Sequence, residues 1–353
     1  EVKVAEWKSL KRYSLEESFQ IADASVLVPW EENLENRILI ERFLNRLRAG
    51  EHYVDSLKTF GITELDEKQF DMLMEMAEKE LPFEEKIRSM KFMKKNFHGI
   101  SYDQVEQKCF ATIQQEIFKA SNVNQVKKYK IAENQVKVNL PVRVNWGGGW
   151  TDTPPYCNEK GGVVLNAAIL LNGQEPIEVE LRKLPENHIE FASLDLDAHG
   201  VVTTAAEIQD CHNPYDSFAL HKAALIACGI IPMEGEADLE KILDEMGGGF
   251  YMSTRVKGVP KGSGLGTSSI LSGACVRALG KFLGTTWSDS DIYELVLNLE
   301  QIMSTGGGWQ DQVGGLTGGI KYITSRPGMK QKLKVEYLDL DEDTKAELQE
   351  RFA

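Results

Sequence analysis

No apolar run in the 353-residue chain approaches the ~20 residues that a membrane-spanning helix needs. No membrane partner is expected from such a sequence. Cysteine is scarce: five residues, at 109, 157, 211, 228 and 275, with no Cys-x-x-Cys pair among them. The odd count and the scatter argue against a disulfide scaffold and suit reduced thiols in a cytoplasmic protein. Positive charge is in deficit. Forty Lys and Arg against 54 Asp and Glu leave a net charge of −14, which disfavours nucleic acid as a partner.

What is present is ordinary globular material. The apolar fraction is 42%, enough for one large or two smaller cores. Residues 1–130 read as helical and hold no glycine-rich motif. Leu34, Ile38, Phe43, Leu44 and Leu47 form an apolar stripe that Gly50 would stop. Ser101 and Gln104 fit a capping box, followed by an apolar face of Val105, Phe110, Ile113 and Ile117. Lys91, Lys94, Lys95 and His98 read as a solvated basic helix end. This region is expected to be a helical spacer or docking segment, separable near residue 131.

The pattern changes at Ile131. Val136, Val138, Leu140, Val142 and Val144 alternate with polar residues, predicting a half-buried strand with Arg143 on the face away from the valines. It runs into Gly147-Gly148-Gly149-Trp150-Thr151-Asp152-Thr153-Pro154-Pro155, a tight turn presenting Asp152. Further strands are predicted over 177–181, 188–194, 250–256 and 319–323, and helices over 215–228, after Gly266 and after Ser288. The last carries Ile292, Leu295, Val296, Leu299 and Ile302 on its core face, with Glu300 beside them. Asp311 follows Gly306-Gly307-Gly308 and is expected on a second glycine-rich turn.

Lys261-Gly262-Ser263-Gly264-Leu265-Gly266-Thr267-Ser268-Ser269 stands between a strand and an apolar helix. Glycines that let backbone N–H groups turn inward, followed by a helix start, make a site for an anion, most often a phosphate. It is not a Walker A loop, because no lysine follows Gly266. Nor is it the dinucleotide fingerprint, because Gly262, Gly264 and Gly266 are spaced by twos.

Two of these stretches together resemble the GHMP small-molecule kinases, the superfamily of galactokinase, homoserine kinase and mevalonate kinase. They are Pro141-Val142-Arg143-Val144-Asn145 leading to Thr151-Asp152, and Pro260-Lys261-Gly262-Ser263-Gly264-Leu265-Gly266-Thr267-Ser268-Ser269. The triple-glycine turn and Gly308-Trp309-Gln310-Asp311-Gln312 look most like the L-fucokinase branch, whose sister is the D-glycero-D-manno-heptose 1-kinases. The resemblance covers roughly residues 131–325. It implies an α+β protein: a helical segment over 1–130, then a GHMP-kinase N-terminal, ATP-binding α/β domain over 131–353. It further implies phosphorylation of the anomeric hydroxyl of a free sugar, L-fucose to L-fucose 1-phosphate, with ATP and Mg²⁺. The L-fucokinase branch is found fused to a guanylyltransferase, so a covalently joined nucleotidyltransferase domain is expected in the parent protein. The non-methionine start at Glu1 suits a piece of such a fusion.

Residue roles follow from the same resemblance. Residues Lys261 to Ser269 would hold the nucleotide phosphates, and Ser268 with Glu300 the Mg²⁺. Asp311 would take the hydroxyl proton, with Arg143 offsetting developing negative charge. Asp152, Trp150 and Gln312 would contact the sugar, with Trp150 and Trp309 walling the methyl of fucose. These roles fit phosphoryl transfer, which needs positioning, charge neutralisation and deprotonation of the nucleophile. Two departures stand out. Gly149 replaces a galactokinase glutamate, so galactose recognition does not carry over. No third glycine-rich motif follows Gly319, so a further C-terminal kinase domain is expected and the fragment alone is expected to be weak or inactive. The competing readings are a heptose 1-kinase, a diphosphomevalonate decarboxylase and a non-catalytic sugar- or nucleotide-binding protein of the same fold.

Overall fold

The computed structural model describes residues 111–352 apart from 112, 116, 121–124, 214–215, 261 and 304–305, together with scattered residues between 11 and 51. The chain divides into two compact units, Glu1–Cys109 and Phe110–Ala353. In the first, α1 (Leu15–Ile21) opens on a capping arrangement in which Ser14 N–H donates to the Glu17 carboxylate at 2.8 Å. Of the early apolar stripe, Phe43 is buried while Leu34 and Ile38 are exposed. Leu44, Leu47, Gly50, the Ser101–Gln104 box and the basic run 91–98 lie outside the described residues.

The second unit begins before the change of pattern at residue 131. Within 111–120, Ile113 and Ile117 are buried, and Gln114 donates to the Gln301 carbonyl. Backbone bonds from Lys127, Ile131 and Ala132 to Gly229, Met246 and Phe282 tie the following stretch to the same body.

Two sheets carry that body. One has the order β1 (Gln135–Leu140), β4 (Ile177–Lys183), β7 (Phe250–Val256), β5 (Ile189–Ser193), β6 (Ala198–Val202). The other has the order β2 (Val142–Gly147), β3 (Val163–Ile169), β8 (Ile320–Ser325), β9 (Leu333–Tyr337). Every pairing is antiparallel except β5 with β7. The alternating run expected as one strand is thus two strands in different sheets, divided at Pro141. Proline has no N–H to donate to a ladder, so the run changes sheets there.

Helices fill the space between. Alpha elements α2 (Tyr156–Lys160), α3 (Ala205–Gln209), α4 (Ala219–Ala227) and α5 (Leu239–Met246) precede α6 (Thr267–Phe282), α7 (Asp289–Ile302), α8 (Gln310–Leu316) and α9 (Glu342–Phe352). The central helix α6 packs on β1 and β4 and against α7 and α8, while α8 packs on β2 and β3. Capping agrees with the sequence: Ser288 and Asp291 form the reciprocal box that opens α7. Asp311 is placed on α8 rather than on a turn, one residue inside its first turn. The mixed sheet-and-helix architecture matches the α+β expectation.

His221 of α4 is buried between Phe191 and Phe218, with ring centroids 5.2 and 5.7 Å away, and its Nε2 lies 3.2 Å from the Thr254 hydroxyl. Burial pulls its pKa from 6.5 to about 4, against smaller opposing effects of a hydrogen bond to the Ala192 backbone and of the Asp216 charge. The unfolded chain therefore binds a proton first as pH falls. The stability that the neutral ring contributes is intact above pH 6.5 and is lost on the way down through about 4, a loss of ~3 kcal/mol. Denaturant midpoints measured from pH 7 to pH 4 should fall, and His221→Gln should flatten that slope.

Candidate active site

The loop between β7 and α6 adopts left-handed backbone at alternate positions. Gly262, Gly264 and Gly266 have φ of 77°, 74° and 71°, a region open to glycine and costly for other residues. Nothing lies within 4 Å of where a Cβ would stand on Gly262 or Gly264, so the loop faces open space. At Gly266 that Cβ would fall 2.8 Å from the Asp311 Cγ, so the loop touches Asp311 directly. Gly266 is the N-cap of α6 and supplies no side chain to the first-turn N–H groups. Those donors remain for an anion. Lys261 lies outside the described residues.

Arg143 joins loop and acid. Its Nη1 donates to the Gly264 carbonyl at 2.9 Å, its Nε donates to Asp311 Oδ1 at 2.7 Å, and its Nη2 reaches the same oxygen. Its backbone N–H meets the Leu265 carbonyl at 3.4 Å. Only Gly314 of α8 lets the helix sit this close, because a Cβ there would stand 2.8 Å from the Arg143 side chain.

Asp152 is fully buried at the end of the triple-glycine turn. Its Oδ2 accepts from the Gln310 N–H at 3.0 Å, and its Oδ1 has no partner. Burial raises its pKa, the Gln310 bond lowers it, and the nearby Asp311 charge adds to the rise. Glu300, also buried, is pushed up to about 8 by burial, and Asp311 and Asp152 push in the same direction while the Ser269 hydroxyl opposes them. Of these three carboxylates, Asp311 is the one that Arg143 binds.

The expected metal pair is placed differently from the motif. Glu300 takes its hydrogen bond from Ser269, whereas Ser268 is exposed and its carbonyl accepts from Ser272 Oγ at 3.2 Å. Among the described residues no group of three or more His, Cys, Asp or Glu is arranged to hold a metal ion. A carboxylate and neighbouring hydroxyls beside a phosphate loop do suit Mg²⁺, which takes few protein oxygens and completes its shell with water and phosphate.

The remaining expected residues divide. Trp150 is 81% exposed with φ of 72°, whereas Trp309 is buried and packs against Gly162. The two tryptophans therefore do not form one wall. Gln312 is fully buried, and neither its Oε1 nor its Nε2 has a partner.

Two residues that carried no sequence signal hold α8 in place. Asn166 of β3 donates through Nδ2 to the Gln310 carbonyl at 3.0 Å. Lys321 of β8 is fully buried and donates to the carbonyls of Gly314, at 2.9 Å, and of Thr317 and Gly318 at the helix's far end. Asn166 is the one polar residue of the strand Val163–Ile169, and Lys321 occupies a polar position of β8 where solvent would be the ordinary expectation. Only the packing of α8 on this sheet turns them inward.

Residues 237–319, running from α5 through the glycine loop to the end of α8, match the model of the GHMP kinases N terminal domain. The chain carries a GHMP kinase N-terminal domain. It is 38% identical over 245 residues to the L-fucokinase/L-fucose-1-P guanylyltransferase of Bacteroides fragilis, a match covering 68% of the chain and 26% of that protein. It is 40% identical over 218 residues to the bifunctional fucokinase/GDP-fucose pyrophosphorylase of Arabidopsis thaliana, covering 62% of the chain and 20% of that protein. The D-glycero-alpha-D-manno-heptose 7-phosphate kinase of Campylobacter jejuni is 28% identical over 189 residues, with 53% of the chain and 50% of that protein covered. The chain thus spans about a quarter or less of the two fucokinase relatives. No described helix of this GHMP chain is long and apolar enough to cross a membrane.

Gly308 of the GHMP domain lies against Asp152: a Cβ there would stand 2.1 Å from Oδ2. Gly308→Ala should push the carboxylate off the Gln310 N–H and cost ~1–3 kcal/mol. Thermal unfolding checks this; an unchanged Tm would show that Asp152 relaxes freely.

Proposed function

We propose that the parent protein transfers the γ-phosphoryl group of ATP to the anomeric hydroxyl of a free sugar, L-fucose, giving L-fucose 1-phosphate. The observation that carries the reading is the bridge made by Arg143 between Asp311 and the carbonyl of Gly264. It puts a carboxylate and a cation at the edge of a phosphate-binding loop, with the second buried carboxylate of Asp152 held through Gln310 of the same helix.

In this reading the loop residues Gly262 to Ser269, with Lys261, orient the phosphates. The sugar hydroxyl gives its proton to Asp311, its oxygen bonds to the γ-phosphorus, and ADP leaves with the bridging oxygen's electrons. Arg143 offsets negative charge that builds on the transferred group. Mg²⁺, held by Glu300 with the hydroxyls of Ser268 or Ser269, would neutralise phosphate charge. The excess of carboxylates over cations around Glu300 supports a cation there. Asp152 and Gln312 read ring hydroxyls, and Trp150 offers an apolar face to the sugar's methyl.

The names of the Bacteroides and Arabidopsis relatives support L-fucose, and they support a fused nucleotidyltransferase that would consume the sugar 1-phosphate. A manno-heptose is the second reading, favoured by the Campylobacter relative. Residues 1–109, the first compact unit, are proposed as the helical connection within such a fusion.

In the full-length protein, Asp311→Asn should lower kcat by ~10²–10⁴-fold while ATP binding changes little, because Asn keeps the size and loses the proton acceptor. Steady-state rates and nucleotide titration check it; more than a tenth of the wild-type kcat would exclude the role. The sugar is tested separately. kcat/KM for L-fucose should exceed that for D-galactose by roughly 10- to 200-fold, since a hydroxymethyl against an apolar face leaves a hydroxyl unpaired. A preference for manno-heptose would move the substrate and leave the mechanism in place.

A further inference from the structure

Three buried acceptors without donors lie within one residue of each other's contacts. Asp152 Oδ1, Asn166 Oδ1 and Gln310 Oε1 are all shielded from solvent and have no partner in the protein. Gln310 is their common point. Its backbone N–H is taken by Asp152 at 3.0 Å and its carbonyl takes Asn166 Nδ2 at 3.0 Å. Its side chain turns toward the triple-glycine turn, with Oε1 3.4 Å from where a Cβ of Gly149 would stand. The next residue is Asp311.

A buried acceptor without a donor costs free energy comparable to a lost hydrogen bond, and native interiors rarely leave one so. Around Gln310, three such acceptors stand beside two unpartnered donors, Trp309 Nε1 and Gln312 Nε2, so the set calls for a ligand that both donates and accepts, with donors in the majority. A phosphate or a carboxylate brings only acceptors and would leave Asp152 Oδ1, Asn166 Oδ1 and Gln310 Oε1 unmatched. A polyol brings several O–H donors on one small frame.

We propose that Gln310, with Asn166 behind it, is a substrate-reading residue of the site, and that its side-chain carbonyl accepts a hydrogen bond from a ring hydroxyl of the sugar. The inference deepens the sugar-kinase reading and stands on it. It explains why the backbone of Gln310 is fastened on both sides: fixed main-chain atoms leave the side chain as the only adjustable part, aimed at one place. Within the GHMP fold it also separates polyol substrates from carboxylate-bearing ones, because a negatively charged substrate would meet Asp152 and two carbonyl dipoles of the wrong sign.

The test uses the full-length protein and a set of single-deoxy analogues of its preferred sugar. Gln310→Met keeps length and removes the acceptor, and its backbone still serves Asp152 and Asn166. The expected result is a rise in sugar KM of about 10-fold with the KM for ATP within twofold, since one hydrogen bond is worth about that factor. One deoxy analogue should then give the same kcat/KM with the wild type and with Gln310→Met, because the hydroxyl it lacks is the one Gln310 reads. Gln310→Asn, which keeps the amide one carbon short, should lie between the two and guards against a misfolded Met variant. A sugar KM unchanged in Gln310→Met, or a penalty equal for every deoxy analogue in both proteins, overturns the assignment while leaving the kinase intact. A wild type that phosphorylates no sugar overturns the parent reading and this inference with it.

Discussion

The guanidinium of Arg143 is the hinge of the site. It holds the Asp311 carboxylate and the Gly264 carbonyl at once, so an acid on one helix and a loop before another are fixed by a single planar cation. Nearly everything nearby is arranged to let it do so. Gly314 and Gly266 remove side chains that would keep α8 away, and Pro141 ends one strand so that Arg143 begins in another sheet, facing the helix. A lysine at this position would supply charge but not the forked geometry that reaches two acceptors.

Charge is distributed unevenly about that cation. Asp152 and Glu300 are buried with raised pKa values, and each is raised further by Asp311. Such a constellation is costly in an isolated core and is the kind found where ligands complete the charge balance. The glycine loop carries no acid, so the carboxylates of the site are gathered on its other side.

The motifs were legible because their chemistry depends on local spacing. The alternate glycines of the loop, the Ser288 cap of α7 and the strand 250–256 all follow from short-range pattern, whereas the pairing of Arg143 with Asp311, 168 residues apart, was expected only from the resemblance. Four things did not. The split at Pro141 was hidden because strict alternation continues across it, and alternation cannot say which sheet a strand joins. Asp311 looked like a turn residue because the glycines before it resemble a loop and the helix after it is only seven residues long. Asn166 lies in a strand that no sequence pattern announced and Lys321 sat at a polar strand position, and their inward roles depend on a helix more than 100 residues away for Asn166 and on the preceding helix end for Lys321. Ser269 in contact with Glu300, where Ser268 was expected, is a difference of one helical step that no motif resolves.

A helix of seven residues has no stability of its own, since forming the first turn costs more than it returns. Alpha helix α8 exists because Asp152 and Asn166 hold its first residue, Arg143 its second, and Lys321 its last carbonyls, and these anchors come from β3, β8, the start of β2 and the turn after it. The acid at the centre of the site is therefore held by residues drawn from three strands and a turn rather than by its own helix.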